Sequence, residues 1–235
     1  MCMHTRKQLS AEQVLQIVLA KKNECAKKYN ITSTVTLYSN LSDDGVEQIR
    51  EAAILAVKYR SQIPAFGFVN CKDALNVSAD MLEIVRLLED NNVVITCEAA
   101  FANANSIPVA LNSFGASRLS GCFAVHKEPH IAEYLATHVI PIEIGYTKTS
   151  DSHTKDIDFV HSLVRFAVET GLNVAWCSFD LVLNKYNRSE LLAQLVQNCR
   201  FTSAELVALL LKSAKICYAD HKTRRLLFKR AMAQI

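Results

Sequence analysis

Several familiar signatures of function are missing from this chain of 235 residues. It has no Gly-rich phosphate-binding loop, no Walker pattern and no Ser-His-Asp order. None of its eight cysteines forms a Cys-x-x-Cys pair, which argues against a zinc knuckle or a dithiol redox centre. No apolar run reaches the roughly 20 residues that a membrane-spanning helix needs. The sequence therefore offers no simple motif for nucleotide hydrolysis, serine chemistry or membrane insertion.

The start of the chain and its charge restrict the compartment and the partners. Residues 1–10 are polar and lack the apolar stretch of a secretory signal. We therefore expect an intracellular protein, cytoplasmic or cytoskeletal, whose cysteines are reduced thiols buried as small apolar side chains. The net charge of +3 is too small to indicate a nucleic-acid partner, and we expect no membrane partner.

What the chain does have is apolar residues in an alternating pattern of strands and helices. Half of its residues are apolar and only four are proline, so a substantial core is expected. The predicted strands are residues 32–38, 64–69, 93–97, 118–122, 140–144 and 173–177. Short apolar strands separated by helices are typical of a parallel sheet covered on both faces. Six is fewer than a closed (β/α)8 barrel requires.

We find no linker, low-complexity tract or internal repeat, and so predict a single domain over residues 1–235. The predicted fold class is α/β, an incomplete TIM-type barrel of about six parallel strands with covering helices.

Residues 118–122, Arg-Leu-Ser-Gly-Cys, are followed by residues 127–129, Lys-Glu-Pro. They resemble the Arg-Leu/Ile-Gly-His-Gly strand and the helix opening of the adenosine deaminase family of metal-dependent hydrolase barrels. Residues 140–144, Ile-Pro-Ile-Glu-Ile, resemble its Ile-Pro-Leu-Glu-Val strand. Residues 173–180 resemble the strand that ends Asn-Thr-Asp-Asp-Pro, and residues 201–215 resemble its closing helices. Each motif is degraded, but their order and spacing agree over most of the chain.

The resemblance implies a zinc site whose residues are replaced here. Cys97 stands where the family has a ligand histidine, and Ala100 where it has the glutamate that transfers a proton. Gly121 replaces the histidine that assists the attacking water, and Phe179 replaces the ligand aspartate, although the neighbouring Asp180 survives. The family's first-strand His-x-His has no counterpart. A catalytic zinc needs at least three N, O or S ligands and an open position, so we predict no metal, no cofactor and no deaminase reaction.

Alternative sites remain open beside that interpretation. Cys97 and Glu98 are candidates for a new site, but we favour the simpler interpretation that Cys97 is a core side chain and that Glu98 points into a neighbouring layer or pairs with a lysine. Asp180 is a residual site candidate at a strand end, or it caps the following turn. His126 and His130 have the i, i+4 spacing of a metal pair, but Pro129 between them places His126 before the helix.

The absent strands lead to a prediction about partners. If the first two barrel strands are missing, two sheet edges stay open, at residues 32–38 and 173–177. We expect other protein subunits to cover this open edge. The sequence therefore predicts a catalytically inactive pseudoenzyme that serves as a structural or interaction subunit of a larger assembly. The alternatives are a module that binds a purine nucleoside without hydrolysis, and a deaminase completed by a partner chain.

Overall fold

The computed structural model describes residues 9–71, 77–101, 103–146, 157–178 and 188–233. Within these residues the chain forms six strands, each followed by helix. The strands are β1 (Thr36–Asn40), β2 (Ala65–Val69), β3 (Val94–Ala99), β4 (Arg118–Gly121), β5 (Pro141–Tyr146) and β6 (Asn173–Ser178). The helices are α1 (Ala11–Tyr29), α2 (Val46–Lys58), α3 (Ala79–Asp90), α4 (Ser106–Asn112), α5 (Pro129–Thr137), α6 (Ile157–Glu169), α7 (Arg188–Cys199), α8 (Ser203–Ile216) and α9 (His221–Met232).

The strands follow one another in the sheet in sequence order, from β1 to β6. The pairs β1–β2, β2–β3, β4–β5 and β5–β6 are all parallel. An α/β fold with six parallel strands and an unclosed sheet confirms the predicted incomplete barrel. The contacts of the chain cluster in two compact units. The first contains residues 1–98 and 108–117, and the second contains residues 99–107 and 118–235. The single domain stays a prediction.

Helix starts agree with the capping residues in the sequence. The Ser10 side chain accepts a hydrogen bond from the Gln13 N–H, and the Gln13 side chain accepts one from the Ser10 N–H. Ser78 caps α3 and Thr202 caps α8 in the same N-cap role, by accepting from a backbone N–H of the first turn. None of the helices in the described ranges is long and apolar enough to cross a bilayer.

The first unit packs around aromatic side chains of β2. The Phe66 and Phe68 rings lie 5.2 Å apart, and Phe114 lies 4.9 Å from Phe68. Gly67, which separates Phe66 and Phe68 in the sequence, faces Tyr38 on β1. A Cβ at position 67 would lie 2.1 Å from the Tyr38 ring. A larger residue at position 67 would therefore require the Tyr38 ring to move.

The second unit packs α6 against β5 and β6. Its largest fully buried side chain is Trp176, in the middle of β6. The buried positions of α6 recur at helical spacing, at Val160, Leu163, Val164 and Ala167. This spacing gives the helix one apolar stripe, which is what a helix covering a sheet requires.

Candidate functional site

The carboxyl end of β3 carries Cys97, in the first unit. Cys97 is completely buried, and its register partner on β2 is Phe68. Cys71 follows the end of β2, and its Sγ lies 3.6 Å from the Phe68 carbonyl oxygen, to which it donates. A hydrogen bond with the Cys71 thiol, together with burial, raises the pKa of Cys97 well above that of an ordinary thiol. Cys97 is therefore protonated at neutral pH.

Glu98 is half-buried on β3, whereas its neighbours Cys97 and Ala99 are buried. Successive side chains of a strand point to opposite faces, so Glu98 does not share a face with the Cys97 thiol. Among the described residues, no group of three or more His, Cys, Asp and Glu side chains is arranged to hold a metal ion. The roles of Glu98 and Cys97 in binding stay predictions.

Ala100 lies just after β3, in the second unit. It has a positive φ of 56° and is 1% exposed. Its N–H donates to Ser106 Oγ at 2.8 Å, and its carbonyl accepts from the Ala124 N–H at 2.8 Å. Both backbone groups are thus held within the protein, and the side chain is a methyl group that cannot accept or donate a proton.

Gly121 ends β4 with a φ of 85°, a region that favours glycine. A Cβ at this position would lie 3.2 Å from Phe101 Cδ2 and 3.3 Å from the Ala99 carbonyl oxygen. The Phe101 ring is itself packed edge-on against Phe123, with centroids 5.0 Å apart. A Cβ at position 121 would therefore contact an aromatic ring on one side and a backbone oxygen on the other.

Cys122, the residue after Gly121, is a second buried thiol. The Cys122 N–H donates to the Ala99 carbonyl at 2.9 Å. Burial, with a smaller contribution from the charge of Glu143, raises the pKa of Cys122 to about 12. Cys122 is thus a protonated core side chain at neutral pH.

Two charged residues, Arg118 on β4 and Glu143 on β5, form an ion pair. Arg118 Nη1 donates to Glu143 Oε1 at 2.6 Å, and both side chains are largely buried. The Arg118 guanidinium also lies 3.7 Å from the centre of the Tyr218 ring. The pair joins neighbouring strands, and the Tyr218 ring brings the segment after α8 against them.

The histidines with metal-like spacing have separate partners. His126 Nδ1 lies 2.9 Å from the Phe123 carbonyl oxygen, and its ring packs against Phe159 at 5.6 Å. His130 lies on the exposed start of α5, with its Nδ1 3.6 Å from Glu128 Oε2. As the proline predicted, His126 precedes the helix, in a short 3-10 turn over Val125–Lys127.

Two further predicted positions follow β6. Phe179 was predicted to replace a ligand aspartate, and Asp180 to be a residual site residue. Both lie outside the described residues.

Sequence reasoning missed the residues that pack around the predicted positions. Cys71 carried a usable signal, because it follows one predicted strand and Cys97 ends the next, and carboxyl ends of parallel strands meet at one edge. Phe101 and Ser106 gave no such signal. Their contacts with Gly121 and Ala100 depend on how the loop after β3 folds back.

Comparison with known proteins places this geometry in a family. Residues 2–234 match the sequence model described as "Adenosine deaminase". The chain belongs to the adenosine deaminase family. It is 27% identical over 223 residues to a "Probable adenosine deaminase" of Dictyostelium discoideum. That alignment covers 94% of this chain but only 29% of the Dictyostelium protein.

Solved structures of deaminases share the fold. An adenine deaminase from Arthrobacter aurescens superimposes with a TM-score of 0.82 at 14% identity, over 96% of this chain and 68% of that chain. An N6-mAMP deaminase from Arabidopsis gives a TM-score of 0.80 at 16% identity, over 99% of this chain and 71% of that chain. At such identities the likeness shows the barrel fold alone.

Proposed function

We propose that this chain is a catalytically inactive member of the adenosine deaminase family, and that it serves as a structural or interaction subunit of a larger protein assembly. The observation that carries the proposal is the packing at Gly121. A side chain there would meet the Phe101 ring and the Ala99 carbonyl within 3.4 Å. The resemblance to the family calls for a histidine at this position, whereas a Cβ at Gly121 would be in tight contact with both neighbours at a φ that favours glycine.

The donors at the other positions support the same conclusion. A zinc ion is bound by deprotonated thiolates, neutral histidines or carboxylates. At position 97 the only donor is a buried thiol whose pKa is raised by its hydrogen bond with Cys71 and by burial. At position 100 the side chain is a methyl group, which cannot move a proton during catalysis. The residues described at these positions do not fit a catalytic zinc.

The structural role rests on the edges of the sheet. In the described part of the chain, β1 and β6 stand at the two ends of the strand order, and each has one strand neighbour. Parallel strands are normally covered on both faces and paired on both sides, since an exposed edge invites association. We propose that another polypeptide covers these edges.

The test of inactivity is an assay of ammonia release from adenosine by the purified chain, with zinc added and an active adenosine deaminase as the positive control. The proposal predicts no release above the buffer blank. Release that requires zinc, in proportion to the chain, would overturn it. Calorimetric titration with adenosine up to millimolar concentration separates this proposal from a nucleoside-binding role, which alone predicts heat of binding.

The partner proposal has its own measurement. Sedimentation of the isolated chain should show self-association or aggregation, because on this proposal the partner that covers the sheet edges is absent. A stable monomer at micromolar and higher concentration would contradict the need for a partner, and would leave the inactivity untouched.

A further inference from the structure

Two buried thiols lie together at the carboxyl ends of neighbouring parallel strands. Cys97 is 0% and Cys71 is 1% exposed, and neither is in a disulfide. Phe68 links them geometrically: it is the register partner of Cys97, and its carbonyl oxygen accepts from Cys71 Sγ at 3.6 Å. The Cys71 thiol, together with burial, also raises the pKa of Cys97, so the two side chains interact.

We propose that Cys71 and Cys97 form an oxidation site, at which a hydroperoxide converts the two thiols into an intramolecular disulfide. The proposal is independent of the proposed function, because it concerns side chains of the first unit and no deaminase chemistry. Cys97 thus reacts with Cys71 to form a disulfide, and this reaction is unrelated to deamination.

The surroundings favour a neutral product. The pair lies beside Phe68, which packs against the rings of Phe66 and Phe114. A thiolate is costly in such apolar surroundings, whereas a disulfide carries no charge and no unpaired donor. The reaction is therefore slow at neutral pH and faster as the pH rises, since the thiolate is the attacking species.

The reaction balances with the hydroperoxide as the only co-reactant. One thiolate attacks the O–O bond, which breaks and leaves a sulfenic acid and hydroxide. The sulfur of the second cysteine then attacks the sulfenic sulfur, the S–S bond forms and the S–O bond breaks with loss of water. The two cysteines lose two electrons and two protons, and hydrogen peroxide is reduced to two molecules of water.

Cys122 is the natural internal control. It is as deeply buried as Cys97, and burial raises its pKa to about 12. Its ionisable neighbour, however, is the carboxylate of Glu143 and not another thiol. Burial alone therefore predicts the same behaviour for Cys97 and Cys122, whereas a thiol pair predicts oxidation of Cys97 and not of Cys122.

Trypsin makes the test direct. Cleavage at arginine and lysine releases Cys71 in the peptide of residues 61–72 and Cys97 in the peptide of residues 87–118, each with a single cysteine. The folded chain is treated with hydrogen peroxide, unfolded, alkylated, digested and analysed by mass spectrometry. We expect the two peptides joined, with a mass about 2 Da below their sum, while the Cys122 peptide is alkylated.

Variants complete the experiment. In Cys71→Ser the Cys97 peptide should not enter any disulfide, whereas Cys122→Ser should keep the Cys71–Cys97 cross-link, with circular dichroism confirming that both fold. The proposal is overturned if both peptides of the wild-type chain stay alkylated after peroxide. It is equally overturned if the cross-link forms only in urea, or if Cys71 and Cys97 pair with other cysteines.

Discussion

The conformation of Gly121 makes a prediction about a single added methyl group. Gly121 has a φ of 85°, and an added Cβ would lie 3.2 Å from Phe101 Cδ2, so Gly121→Ala combines backbone strain with a close contact. We expect it to lower the free energy of unfolding by about 1 to 3 kcal/mol, measured by urea denaturation. Gly45→Ala is the matched control, because Gly45 has a φ of −71° and only one atom within 4 Å of an added Cβ, at 3.9 Å. Equal losses in the two variants would contradict the packing described at Gly121.

His161 gives a prediction about pH. It is 1% exposed on α6, its Nδ1 lies 3.3 Å from Asn198 Nδ2, and no hydrogen-bond partner of its Nε2 lies in the described residues. Burial lowers the pKa of His161, and the charge of Asp158 opposes this only in part. The unfolded chain therefore takes up a proton at a higher pH than the folded chain. Stability is full above the unfolded pKa of about 6.5 and falls as the pH drops below it.

The measurement is the urea midpoint as a function of pH, from about 7.5 downward, across the unfolded pKa of histidine. His161→Leu should remove the part of the slope that lies just below that pKa of about 6.5. His221→Gln, which changes an exposed histidine of α9, should keep that slope. An unchanged slope in His161→Leu would show that His161 is not held neutral by burial.

The ion pair between β4 and β5 predicts how two strands depend on each other. Arg118 and Glu143 have side chains only 9% and 16% exposed. Glu143→Gln leaves the Arg118 charge largely buried without its counter-charge, and we expect a loss of about 3 kcal/mol in the free energy of unfolding, measured by urea denaturation. The double change Arg118→Met with Glu143→Leu should cost less than Glu143→Gln alone, because no buried charge then remains.

An exposed pair is the control for that cycle. Lys21 and Glu24 of α1 have side chains 66% and 62% exposed, and Lys21→Gln should change stability by less than about 1 kcal/mol. If Glu143→Gln cost no more than Lys21→Gln, the Arg118–Glu143 pair would not hold the strands.

The existence and order of the elements could be predicted because each strand has an apolar run and several helices have a clear cap. The predicted bounds differ where pairing decides them. The first strand was predicted over residues 32–38, from its β-branched run, and β1 is Thr36–Asn40. Its ladder begins opposite Ala65, since β2 itself begins only after Pro64, which has no N–H to donate. Local composition does not carry that register.

The positions of the candidate site could be located from the sequence, whereas the side chains that pack around them could not. The family pattern located Cys97, Ala100 and Gly121 from the sequence, because flanking strands fixed their positions. The contacts of Phe101 and Ser106 depend on the path of the loop after β3, which the hydrophobic pattern of the sequence does not predict. The pair of Cys71 and Cys97 lies between these cases, since the strand ends are predictable from the sequence and the contact of Cys71 with the Phe68 carbonyl is not.

The chain as a whole has the fold of a deaminase barrel over six parallel strands, and it spans 29% of the length of its Dictyostelium relative. We propose that this fold is used here without the zinc chemistry of the family. The most direct test is the zinc content of the purified chain, produced in zinc-supplemented medium and measured by elemental mass spectrometry after dialysis. The account predicts far less than one zinc ion per chain, because positions 97, 100 and 121 carry a cysteine, an alanine and a glycine, and a single thiol does not hold a catalytic zinc. Zinc at one ion per chain that is lost in Cys97→Ser and kept in Cys122→Ser would contradict it.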